Sequence, residues 1–149
     1  MLRAGPNLSA ILAETPAQVH VTCIDLRDHH SPRACRSVLT HRMVDLQARL
    51  LRSTISCAVV VVLLSERTPM RGLLPAMCTA AESVVHRVEL GRGSTFGLTL
   101  VVDTGRYTAA GAAALVKDGP AAVPEGAAVI SWEQAVAWGI RAAVAAERI

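Results

Sequence analysis

The chain has almost no aromatic side chains. Phe, Trp and Tyr make up 3% of its 149 residues, so a core of large ring anchors is excluded, and close packing of Ala, Val and Leu must replace it. Lysine is as scarce: Lys117 stands alone, and the formal charge of +3 rests on arginine. Arginine favours bidentate contacts with carboxylate or phosphate, which mildly favours an acidic partner. Closely paired cysteines are also missing. Cys23, Cys35, Cys57 and Cys78 lie far apart, which argues against a disulfide framework and predicts a reducing, intracellular compartment. The opening 18 residues hold no long apolar run and are interrupted by Pro6 and Pro16, unlike a secretory signal. "ISCAVVVVLL", Ile55 to Leu64, is about half the length of a membrane span, so no membrane association is expected.

What is present reads as an α/β domain. Residues 1–18 read as an N-terminal tail and 19–149 as one domain, a length sufficient for a continuous core. "VHVTCIDL" is short, apolar and β-branched, as a buried strand is. Ser31 and Pro32 then suit the N-cap and first residue of a helix. Along that helix Cys35, Leu39, Met43, Leu46 and Leu50 recur at spacings of four and three, a single apolar stripe. The valine run after Ile55 does not alternate, as expected of a central parallel strand covered on both faces. "LLPAMCTAAES" reads as a short helix, followed by strands "VVHRVEL" and "FGLTLVV" that turn on "GRGSTFG". A further strand "AAVI" and a closing helix from Ser131 complete the chain, with Ser131 and Gln134 spaced as a capping box and Val136, Ile140 and Val144 on the buried face. The expected fold is a mixed, mostly parallel sheet flanked by helices and ending in an antiparallel hairpin.

The candidate chemical motifs narrow sharply. "GRGSTFG" has three glycines, yet it leads into a strand rather than a helix and carries no lysine. It therefore fails both as a dinucleotide fingerprint and as a phosphate-binding loop. Cys23, His29, His30 and Cys35 form the only soft-ligand cluster, and their spacing lacks the tight pairs of a zinc site. Cys78 with His86 has no local signature of a nucleophile and its base. Asp25 is more informative, because it closes an apolar strand at the carboxyl edge, where open α/β sheets bind ligands.

With these segments laid out, the chain from Val19 to Ile130 resembles the second half of a RecA-like recombinase core, as in eukaryotic strand-exchange proteins and their paralogues. "VTCIDL", the following helix, "CAVVVVLL", "LLPAMCTAAES", "HRVEL" and "LTLVVDTGRY" stand in the family's order. The resemblance places Asp25 at the magnesium-positioning aspartate, Ser65 and Glu66 at a polar sensor pair, and Arg87 at the arginine of a strand. It also places Arg67 and Arg71 in a DNA-facing loop. No Walker A loop precedes these elements, so the chain alone is expected to lack ATPase activity and to need no cofactor. ATP and magnesium would enter only if another chain supplied the phosphate loop. The implied role is partner docking in homologous recombination and DNA repair, with another RecA-like subunit and DNA as partners and a nuclear location. A RecA-like scaffold subunit of the Elongator type belongs to the same non-catalytic class. "LLPAMC" also resembles the kink-turn-binding ribosomal and RNase P subunit family, whose RNA-binding signature is absent from "RMVDLQAR". A small α/β enzyme using Asp25 and the His pair ranks last, for want of an acid, nucleophile and orienting group at a recognisable spacing.

Overall fold

Four aliphatic runs form strands: β1 (Val19–Asp25), β2 (Cys57–Leu63), β3 (Gly97–Asp103) and β4 (Gly126–Ser131). The computed structural model describes residues 19–148, so the tail read over 1–18 lies outside the described residues. The strands make one sheet in the order β1-β2-β3-β4, and every pairing is parallel. Every residue of β2 and β3 is buried. Burial on both faces is what the unalternating valines require.

Among the described residues five α-helices join and flank the strands. α1 (Pro32–Leu51) begins where the Ser31 hydroxyl accepts the Ala34 N–H at 3.1 Å, and Pro32 takes its first turn. Its buried residues are Cys35, Leu39, Met43, Leu46 and Leu50, the stripe expected from the spacing. α2 (Leu74–Arg92) is far longer than "LLPAMCTAAES" suggests. Met77, Ala81, Val84, Val85 and Val88 extend a helical stripe through the segment expected to be the strand "VVHRVEL". That expectation is corrected, and with it the antiparallel hairpin. Gly93, at φ +73°, ends α2 in a left-handed cap rather than turning between strands. Gly97 opens β3 where a side chain would clash with the Pro124 carbonyl oxygen.

α3 (Ala109–Leu115) orders part of the Ala-rich stretch, capped by the Thr108 hydroxyl on the Gly111 N–H at 2.9 Å. The expected closing helix is two: α4 (Trp132–Trp138) and α5 (Ile140–Glu147), broken at Gly139. The capping box of Ser131 and Gln134 is formed, with both bonds present. Ile140 and Val144 are buried, whereas Val136 points outward and is 56% exposed.

Side-chain alternation divides the interior into two cores. Ile24, Val60, Val62, Leu98 and Leu100 meet α1 and α2 on one face, while Val21, Val59, Val61, Val101 and Ile130 meet α3, α4 and α5 on the other. The three crossovers step in one direction across the sheet, yet the one through α3 lies on the opposite face from those through α1 and α2. It therefore has the opposite hand, an uncommon arrangement for parallel strands. Arginines reach both outer strands: Arg148 donates to the Glu125 and Ala127 carbonyls beside β4, each at 3.2 Å, and Arg42 donates to Cys23 O of β1 at 3.5 Å.

Candidate functional site

All four strands point the same way, so their carboxyl ends share one edge. The segment after β2 leads to α2 on one face, and the segment after β3 leads to α3 on the other. Neighbouring loops that diverge to opposite faces open a crevice at the sheet edge, the preferred ligand position in open α/β folds. Ser65 and Glu66 stand on one side of it; Asp103, Thr104 and Gly105 stand on the other. Leu64 N–H donates to Asp103 O at 2.8 Å and pins the two strand ends together.

Asp25 occupies this edge, as the sequence implied, and Leu63 lies between it and Asp103 in one row of the sheet. Two strand spacings separate the two backbones by about 10 Å. Arg27 engages both Asp25 oxygens, with Nε at 2.9 Å from Oδ1 and a terminal amine at 2.7 Å from Oδ2. The Arg27 N–H adds a third donor to Oδ1 at 3.0 Å. The Arg27 side-chain bonds above all hold the Asp25 carboxyl below the usual carboxylate range, against the opposing effect of burial. A cation arriving at Asp25 competes with this guanidinium for the carboxylate.

Asp103 has a different environment. It is 3% exposed, and its two oxygens accept the N–H groups of Gly105 at 2.9 Å and Arg106 at 2.8 Å. Gly105 turns at φ +138°, which a side chain would strain. Sequence reasoning passed over Asp103, although its signal matched that of Asp25: an aspartate ending an apolar strand. Glu66 is exposed and its Oε1 sits 3.6 Å from where a Gly105 side chain would begin. Ser65 accepts the Arg67 N–H at 3.2 Å. Arg67 and Arg71 are exposed on the segment between β2 and α2, with Arg71 in a short 3-10 turn, Met70–Gly72. Arg87 is exposed on α2 rather than in a strand, a departure from the recombinase pattern.

Asp25 and Glu66 thus share an edge without converging. Among the described residues no three His, Cys, Asp or Glu side chains lie close enough to hold a metal ion. Cys23 and Cys35 belong to opposite faces of the sheet, and the Cys35 thiol is bonded to the His29 carbonyl at 3.2 Å. Burial, reinforced by Asp25, pushes the Cys23 thiol up to about 11, and burial also raises Cys35, Cys57 and Cys78. None of the four is favoured as a thiolate nucleophile at neutral pH. Below the edge Tyr107 meets Trp132 edge to face, with ring centres 5.5 Å apart. Its buried hydroxyl has no hydrogen-bond partner among the described residues.

No protein-family model, no curated protein and no solved structure matches this chain. Among the described residues no helix is long and apolar enough to cross a membrane.

Proposed function

We propose that this chain is a non-catalytic docking protein similar to a RecA-like recombinase paralogue, which supports homologous recombination and DNA repair by holding a partner. The observation that carries the reading is the state of Asp25. It ends a strand paired in parallel with the valine-rich strand, with Ser65 and Glu66 at the same edge, which is the neighbourhood the recombinase resemblance implies. Its carboxylate is nevertheless clamped by Arg27 from its own loop. That clamp favours an edge used for recognition over one that positions magnesium. The partner in this reading is another RecA-like subunit, which would supply any phosphate loop, and the complex would work in the nucleus.

Arg67 and Arg71 have the exposure needed to contact DNA phosphates from the segment after β2. Co-expression with a RecA-like strand-exchange subunit tests the proposal. The expected result is co-elution on gel filtration, with single-stranded oligonucleotide bound by the complex. Replacing both arginines by alanine should lower the slope of log affinity against log salt by about 1–2. Separate elution from every RecA-like subunit tried would overturn the docking role. An unchanged slope would remove the DNA contact from these residues.

A further inference from the structure

The break at Gly139 builds a feature that a continuous closing helix would not. With φ +85° and ψ 156° at this residue, α4 stops and α5 starts in a new direction. Val136 and Trp138 are left 56% and 58% exposed, on one wall of a groove whose other wall is α3 and the turn Gly119–Ala122. The groove holds about 710 Å³, within the range of small-molecule sites. Its floor is Ala135, Ile140 and the half-buried Leu115. Small side chains along both walls leave its length open.

Three of the described residues lining the groove are charged: Lys117, Asp118 and Arg141. Arg141 Nε donates to Ala121 O at 2.8 Å, which ties the guanidinium to the turn that closely follows Lys117. Lys117 and Arg141 both line the groove, and Asp118 is the only acid among its described lining residues. An apolar trough whose lining charges are net positive suits a ligand with an apolar chain and an anionic head.

We propose that this groove binds a straight-chain carboxylate. The chain lies along Leu115, Ala135 and Ile140 beneath Trp138, and the carboxylate meets Lys117 and the terminal amines of Arg141. Charge-assisted bonds to the head supply selectivity, and removal of the chain from water supplies the rest of the affinity. The site is separate from the sheet edge and does not depend on the docking role.

Titration of the full chain with sodium dodecanoate, below its micelle concentration, tests this by calorimetry and tryptophan emission. Saturable binding at one site is expected, with a blue shift of emission that Trp138→Phe abolishes without abolishing the heat. Dodecan-1-ol and dodecyltrimethylammonium should bind at least about tenfold more weakly, and Lys117→Gln with Arg141→Gln should weaken dodecanoate by a similar factor. Lys117→Gln alone, at an exposed position, should still weaken dodecanoate if the double variant fails to fold. Failure to saturate would overturn the proposal, as would equal binding of acid and alcohol or indifference to the lysine change.

Discussion

Asp25 and Asp103 end their strands in the same row, and the next two or three residues of each loop decide the chemistry of the carboxylate. Arg27 lies two residues after Asp25 and folds back onto both oxygens, whereas Gly105 lets the backbone itself cap Asp103. In an NMR titration Asp25 should therefore protonate below the usual carboxylate range, and Arg27→Ala should move its midpoint upward. Because its folded pKa is depressed, the pair's stabilising contribution is present above the unfolded pKa and is lost as pH falls through the folded one. The effect on stability should be small, since the Arg27 and Asp25 side chains are 58% and 48% exposed. Thr99 makes a different prediction. Its hydroxyl is buried in β3 without a partner among the described residues, so the near-isosteric Thr99→Val should raise stability by about 1 kcal/mol in urea unfolding.

At the scale of elements, the helix α1 was legible because one stripe of five residues faces one sheet, and a repeating pattern reports such burial directly. The two inner apolar strands were legible for a related reason: with both faces covered, polar residues have little place in them. "VVHRVEL" misled because β-branched residues in a short window favour a strand, while the decisive information lay in its spacing to Met77 and Ala81. Gly93 carried the correct signal, a glycine after Arg92 at a helix end. At the site, the strand-end position of Asp25 was readable, but its guanidinium clamp depends on how residues 25–27 turn. Gly139 was hidden for the same reason, since an isolated glycine does not reveal its backbone angles. Its geometry is available almost solely to glycine, so Gly139→Ala should cost about 1–3 kcal/mol. Urea unfolding would measure that loss, and an unchanged midpoint would show that α4 and α5 accept a straighter connection.

At the scale of the whole molecule, parallel strands and the split of helices between two faces make one edge the natural place for a ligand or partner. The same edge contains Asp25, Ser65, Glu66 and Asp103, which come from segments up to 78 positions apart in the chain. Each aspartate there is already engaged by its own loop, and burial disfavours the thiolate of all four cysteines. This chemistry suits a docking role better than it suits turnover. The most direct test is isothermal titration calorimetry of the purified chain with Mg–ATP. The account predicts no saturable heat and no accompanying rise in melting temperature. Saturable binding with a micromolar dissociation constant would contradict it, because this chain would then hold the nucleotide without a phosphate loop supplied by a second chain.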